Sequence, residues 1–156
     1  MLRLPTALLV AALAATASAQ PAGPAPGGLV VLESDAGFEE TYARLRRAVE
    51  AHPALSVLAE FDHAANAERA GLSLRPTRVL VFGNPQVGTP LMEAAPTLAI
   101  DLPQKVLVWE EAGTTSVAYT DPAYLAERHG LSVERERLGR ISRALSDLAA
   151  AATGRE

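Results

Sequence analysis

The sequence has 156 residues, with 14 basic and 18 acidic side chains and a net charge of −4 at pH 7. Nucleic-acid-binding domains usually carry a basic face, so this acidic balance argues against a nucleic-acid partner. The chain contains no cysteine, which excludes disulfide bonds, thiol catalysis and thiolate metal sites.

The first 19 residues have the pattern of a Sec-type signal peptide. Arg3 is followed by a run of Leu, Ala and Val, and Ala17-Ser18-Ala19 forms an A-x-A cleavage site before Gln20. The apolar run is short for a membrane span, and no later segment reaches the length that a span needs. We therefore expect cleavage after Ala19, a periplasmic or secreted protein, and no membrane span after cleavage.

The rest of the chain is predicted to form one domain. Residues 20–28 are a linker of Pro, Gly and Ala, residues 29–152 a single α+β domain, and residues 153–156 a disordered tail. Removing 19 of the 156 residues leaves 137, with 13 basic and 18 acidic side chains and a net charge of −5. That length is sufficient for one domain with its own hydrophobic core.

In chain order, hydrophobic patterning predicts a strand, a helix, a strand, a small helix, four strands and two helices. The six strands lie at residues 29–32, 55–61, 79–82, 98–100, 106–109 and 116–119. Ser34 and Asp35 are expected to cap the first helix, and Asp62 and Gly71 to begin and end the small one. A turn of helix is expected within residues 88–95.

The two last helices have clear local signals. Asp121-Pro122 is a cap followed by proline at the first helical position, and His129-Gly130 ends that helix. Four leucine and isoleucine residues then repeat at helical spacing and predict a long amphipathic helix that lies on the sheet. These residues are Leu138, Ile141, Leu145 and Leu148.

The spacing of the elements indicates the fold class. Residues 97–119 leave no room for a full helix between successive strands, which excludes a parallel α/β sheet. Residues 101–103 form a connection short enough to make the strands on either side antiparallel neighbours. We therefore predict an α+β two-layer domain, in which helices pack on an antiparallel sheet.

Several motifs resemble one bacterial family. They are D-H-A-A-N-A and G-L-x-L-x-P-T at residues 62–77, F-G-N-P-x-x-G-T-P-L-M at residues 82–92 and I-D-L-P-x-K-V-L-V-W-E at residues 100–110. From residue 30 to residue 131 the chain resembles the family known as domain of unknown function 302. The resemblance implies a curved antiparallel sheet packed by helices, similar to the TATA-binding-protein-like architecture. It also implies a tendency to dimerise, and it implies no established reaction.

Polar side chains follow three of the predicted strands. Asp62 and His63 follow one strand, Asn84 a second and Asp101 a third. His63 is either a general base or metal ligand, or a helix residue that packs or hydrogen-bonds beside its cap. We predict that His63 and Asn84 approach each other, with Asp101 as a third member. The candidate ligand site comprises Asp62, His63, Asn84, Thr89, Asp101 and Lys105.

The spacing of the histidines predicts no metal site. His52, His63 and His129 form neither H-x-H nor H-x-x-x-H, and the sequence gives no indication of a cofactor. His52 and His129 are interpreted as residues at helix C-termini, where the helix dipole favours them.

Residues 83–89 invite comparison with a phosphate-binding loop, because glycine-rich turns expose backbone N–H groups. The segment lacks the G-K-[ST] ending of a P-loop, and Pro85 provides no N–H donor. A turn is therefore the favoured interpretation, and a role in lining a ligand site stays open.

Three functions follow from these observations. The leading hypothesis is a non-enzymatic exported domain that binds a small, partly apolar molecule in a cleft between sheet and helices. The second is an enzyme that uses the Asp, His and Asn cluster at the rim of the sheet. The third is a structural homodimer without a ligand, which would require an apolar patch large enough for a partner.

Overall fold

The computed structural model describes residues 27–131 and 135–155. For Arg135 it describes the backbone only. The predicted signal peptide and most of the predicted linker lie outside the described residues. The strands are β1 (Leu29–Glu33), β2 (Ser56–Asp62), β3 (Thr77–Gly83), β4 (Gln104–Glu111) and β5 (Thr114–Thr120). The helices are α1 (Phe38–Ala51), α2 (His63–Arg69), α3 (Pro85–Ala94), α4 (Pro122–Arg128) and α5 (Arg135–Thr153), with a 3₁₀ helix at Pro96–Ile100.

The five strands form one antiparallel sheet in the order β1-β5-β4-β3-β2. Side chains from alternate positions of these strands face α1 and α5 and form the main core. The fully buried members of that core are Leu45, Val49, Leu80, Val106, Val108, Val117, Ala149 and Ala152. The α+β fold with helices on an antiparallel sheet is therefore confirmed.

The two long helices run antiparallel on the sheet. The backbone N–H of Asp35, just before α1, donates to the carbonyl of Thr153 at the end of α5, at 3.0 Å. The end of α1 therefore lies beside the first half of α5. Helix α5 extends one residue beyond the predicted end of the domain, and Thr153 is buried with its hydroxyl donating to the Ala149 carbonyl.

The opposite face of the sheet carries partly exposed apolar side chains. Val31, Leu107, Val79 and Phe61 lie in one row according to the strand register, with the buried Ala118 of β5 between Val31 and Leu107. At the two edges of this row, Val31 is 42% exposed and Phe61 49% exposed. We call these four side chains the outer row.

The predicted strand at residues 98–100 is wrong. This stretch is the 3₁₀ helix, and Leu98 is buried against α3 and α4 in a second, smaller core. The physical reason is that both edges of β4 are already occupied, by β3 and β5, so no edge remains to pair with a further strand. Leu98 is buried as predicted, but Ile100 is 76% exposed, so both the burial of this run and its backbone conformation differ from the prediction.

Two helix starts also differ from the prediction. Helix α1 begins after Gly37 without a side-chain cap, and Ser34 instead bonds the Ala36 N–H and the Thr41 hydroxyl. Helix α3 begins at Pro85, earlier than expected, because the Asn84 side chain accepts the Gln86 N–H as its N-cap. Among the described residues, no helix is both long and apolar enough to cross a membrane.

Candidate functional site

A largely apolar cleft of about 500 Å³ lies at the end of the sheet where β2 begins and β3 ends. Its walls come from β2, β3, α3, the segment before β4, and α5. The main apolar contributors are Leu58, Phe82, Met92, Leu102, Ile141 and Leu145. Ligand sites in proteins are commonly clefts of about 300–1,000 Å³ with a mainly apolar lining, and this cleft falls within that class.

Local irregularities in the chain shape the cleft. The register between β2 and β3 shifts between Val57 and Ala59, so Leu58 is the extra residue of a β-bulge and is 58% exposed at the cleft. A Cβ at Gly83 would lie 3.4 Å from Pro103 Cβ, and one at Gly88 would lie 3.6 Å from Leu102 Cδ1. The segment before β4 therefore packs against β3 and α3 at these two positions, where a Cβ would make ordinary van der Waals contact.

The polar side chains on the cleft lining are His52, Asn84, Thr89, Gln104 and Arg140. His52 Nδ1 accepts the Ala54 backbone N–H at 3.2 Å, and Asn84 Oδ1 accepts the Gln86 N–H at 2.9 Å. These local bonds occupy an acceptor atom on each side chain. The remaining polar atoms, His52 Nε2 and Asn84 Nδ2, are then hydrogen-bond donors when the imidazole is neutral.

The predicted approach of His63 to Asn84 is wrong. In the β2–β3 register Asp62 pairs with Arg78, whereas Gly83 pairs with Ser56 at the other end of the strands. The seven residues of β2 span about 20 Å, so Asp62 and His63 lie at one end of the sheet and Asn84 at the other. Because β2 and β3 are antiparallel neighbours, β3 begins at the end of the sheet where β2 ends. Helix α2 joins them at that end, so the end of β3, with Asn84, lies at the other end of the sheet.

Of the six candidate residues, Asn84 and Thr89 line the cleft. Asp101 and Lys105 lie near the same end of the sheet, because β4 starts at Gln104, opposite Phe82. The Lys105 ammonium donates to the backbone carbonyls of Asp101, at 2.6 Å, and Pro103, at 3.1 Å. Lys105 therefore stabilises the turn before β4.

The Asp101 side chain binds His129, for which the sequence predicts only a position at a helix C-terminus. His129 Nε2 lies 2.6 Å from Asp101 Oδ2, and its Nδ1 lies 2.9 Å from Thr97 Oγ1. The His129 side chain is 5% exposed, and none of the three residues lines the cleft. The arrangement ties the end of α4 to the 3₁₀ helix. Asp101 and His129 are 28 residues apart, so no local sequence signal could have paired them.

At the opposite end of the sheet, Asp62 is a helix cap and an ion-pair partner. The Ala65 N–H and then the Arg78 guanidinium lower the pKa of the Asp62 carboxyl below its ordinary value. Arg78 also stacks over the rings of Phe38 and Tyr42, at 5.2 and 4.6 Å from their centroids. Through Arg78, the Asp62 side chain therefore contributes to the packing of α1 on the sheet.

Tyr42 connects α1 to β2 in the same region. Its hydroxyl donates to Glu60 Oε2 at 2.7 Å. Burial raises the pKa of Tyr42, and the hydrogen bond to Glu60 raises it further. The same hydrogen bond is the main factor that lowers the pKa of Glu60. No group of three or more His, Asp or Glu side chains that could hold a metal ion occurs within residues 27–131 and 135–155.

The fold and the cleft define the class of protein: an α+β domain with one curved antiparallel sheet, helices on one face and an apolar cleft at one end. The chain belongs to the family described as "Domain of unknown function DUF302", whose model matches residues 30–148. The matched region includes most of α5, whose Ile141 and Leu145 line the cleft.

A solved structure supports the same fold. The crystal structure of the uncharacterized conserved protein DUF302 from Bacillus stearothermophilus matches with a TM-score of 0.72 and 22% sequence identity. The match covers 81% of this chain and 98% of the Bacillus chain. At this identity the likeness concerns the fold alone.

Curated relatives with a named activity match over part of their length. Proteins described as "Fluoride-specific ion channel FluC 1" from Brucella suis biovar 1 (strain 1330) and Brucella abortus biovar 1 (strain 9-941) are each 40% identical over 110 residues. The match covers 70% of this chain, 43% of the B. suis protein and 40% of the B. abortus protein. The chain therefore spans about two fifths of the length of these relatives.

Proposed function

We propose that this protein binds a small, mainly apolar molecule in the cleft at the end of the sheet. The observation that carries the proposal is the cleft itself, about 500 Å³ in volume, with an apolar lining and a few polar side chains. Apolar surface that a ligand covers contributes about 25 cal/mol per Å² to binding, before the costs of association. A ligand of this kind would therefore gain most of its affinity from the lining.

The proposal assigns no reaction to the cleft. Asp62 and His63 lie at the far end of the sheet, so the polar cluster on which an enzymatic alternative depended does not form. The side chain of Asp101 is engaged by His129 and Arg128 outside the cleft. The polar groups that do line the cleft are suited to orienting a ligand, which is the usual role of isolated polar side chains in an apolar site.

Gly88→Phe should weaken ligand binding in the cleft. Gly88 lines the cleft on α3, and an aromatic ring there would project from the helix toward the space beside Leu102. Titration with the neutral fluorescent probe N-phenyl-1-naphthylamine should show saturable binding to the unmodified protein. The variant should lose at least about tenfold in affinity, which corresponds to about 1.4 kcal/mol.

Gly139→Phe is the matched control. Gly139 is also helical, on α5, and a Cβ there would meet no described atom within 4 Å apart from its chain neighbours and the backbone of its own helix. The control should bind the probe as tightly as the unmodified protein does. Equal binding by all three proteins would place the probe elsewhere and refute the cleft as the binding site.

The outer row favours a second candidate function, a homodimer. Val31 and Phe61 are each more than two fifths exposed, and they lie at the two ends of a row that also contains Ala118, Leu107 and Val79. Exposed apolar surface of this kind is typical of interfaces when it is contiguous. Sedimentation velocity on the unmodified protein and on the Gly88→Phe and Gly139→Phe variants tests this alternative. A protein that remains monomeric at every concentration would exclude the homodimer.

Export is a further proposal, and residues 1–19 support it. Their basic start, apolar run and A-x-A site are the features that a signal peptidase reads. Protein recovered outside the cytoplasm should therefore begin at Gln20. An intact-mass measurement checks this, and a mass that retains Met1 to Ala19 would contradict the proposal.

A further inference from the structure

We propose that the ligand of the cleft is an amphipathic anion, with an apolar tail and a single acidic head group such as a carboxylate. The inference rests on the proposed function, since it assigns a chemical class to the ligand of that same cleft. Its basis is the sign of the charge on the lining and the kind of polar atom that the lining offers.

The charged residue on the lining is a cation. Among the described lining residues Arg140 carries a full positive charge, and none is an aspartate or glutamate. The protein as a whole is acidic, with a net charge of −4, so a lining free of carboxylates differs from the rest of the chain. A cationic ligand would find no counter-ion in the cleft, whereas an anion would find a guanidinium.

Arg140 can accept a further anionic partner. Its Nη1 donates to Glu136 Oε1 at 3.0 Å, and both side chains are exposed, by 54% and 86% respectively. Exposed ion pairs of this kind contribute little to stability. A guanidinium has five N–H donors, so a ligand carboxylate can bind beside Glu136 or replace it.

The neutral polar side chains add hydrogen-bond donors rather than acceptors. His52 and Asn84 each use an acceptor atom to bond a backbone N–H close by in the sequence. What they offer beyond these bonds is N–H groups, which complement the oxygen atoms of an acidic head group. Asn84 also starts the ten-residue helix α3, whose positive dipole end is therefore at the cleft.

These donors come from one end of the domain. His52 follows α1 and precedes β2, and Asn84 follows β3, which ends opposite the start of β2. Arg140 lies in the first half of α5, which the antiparallel packing of α1 and α5 places near the end of α1. The rest of the lining is apolar, with residues such as Leu58, Met92 and Ile141, and would contact the tail of the ligand.

Three probes built on a ten-carbon chain test the inference: decanoate, decanol and decyltrimethylammonium. Calorimetric titration of the purified protein should give the order decanoate, then decanol, then the cation, from tightest to weakest. A purely apolar cleft would prefer decanol over decanoate, because a carboxylate is costlier to remove from water than a hydroxyl. A preference for decanoate is therefore diagnostic of the head-group contacts.

Arg140→Gln should weaken decanoate binding by roughly three- to tenfold and leave decanol binding unchanged. Arg143→Gln is the matched control, because Arg143 is an exposed arginine on the same helix that does not line the cleft. Equal effects of the two variants on decanoate affinity, or equal affinities for the three probes, would refute an anionic ligand. They would not refute the cleft as a binding site for an apolar ligand. Failure of all three probes to bind would overturn the proposed function as well.

Discussion

Replacing Leu145 with alanine should lower the free energy of unfolding by about 2–5 kcal/mol, the usual range for removing a buried leucine side chain. Leu145 is 1% exposed and lies in the main core together with Leu80, Phe82 and Val106. The variant loses the burial of three carbon atoms and leaves a void that the sheet cannot close completely. Urea denaturation followed by circular dichroism measures the effect as a lower midpoint.

Arg143→Ala is the control for this prediction. Arg143 lies on the exposed side of α5, and alanine is a good helix former, so the change should be less than about 0.5 kcal/mol. A second variant, Leu145→Met, nearly conserves the volume and should cost less than about 1.5 kcal/mol. Equal midpoint shifts for Leu145→Ala and Arg143→Ala would contradict the placement of α5 on the sheet.

Arg78→Met should lower the free energy of unfolding by about 1–3 kcal/mol, because it removes the charge but keeps most of the apolar stem. The Arg78 guanidinium donates to Asp62 Oδ2 at 2.8 Å and stacks over Tyr42 and Phe38. Its side chain is 21% exposed, so these contacts are partly shielded from water. Arg75→Met is the control, since Arg75 pairs with Glu111 and both are at least half exposed. It should cost less than about 1 kcal/mol.

The loss caused by Arg78→Met should depend on pH. The folded protein depresses the pKa of Asp62, so the contribution of its carboxylate is fully present above the unfolded value of about 3.9. It is lost as the pH falls through the lower folded pKa, where Asp62 takes up a proton. The difference between the two proteins should therefore be larger at pH 7 than at pH 2. A difference that is constant over this range would show that Asp62 does not contribute to the effect.

Local patterns predicted most of the helices because the signals for a helix lie within a few residues of each other. Asp62 caps α2 by accepting the Ala65 N–H, and Asp121 caps α4 by accepting the Ala123 N–H, as their positions indicated. The start of α3 had the same signal, since Asn84 is followed by proline at the first helical position. The glycines at residues 83 and 88 favour a turn over the same segment, and this second local signal hides the start of the helix.

The candidate site was predicted in part. Asn84 and Thr89 do line a cleft, and Asp101 and Lys105 lie near it, whereas Asp62 and His63 are at the other end of the sheet. The sequence places polar residues after three strands, but it does not show at which end of the sheet each of these strands ends. That depends on which strands are neighbours, and strand order is set by contacts between distant parts of the chain.

The sequence by itself determined the α+β class and the amphipathic faces of α1 and α5, because periodicity and capping are local properties of the chain. Only the tertiary structure decided that residues 98–100 are helical, since both edges of β4 are taken by β3 and β5. It also decided that Asp101 binds His129 and that Leu58, Leu102 and Ile141 converge on one cleft. These contacts join segments that lie tens of residues apart, and packing alone brings them together.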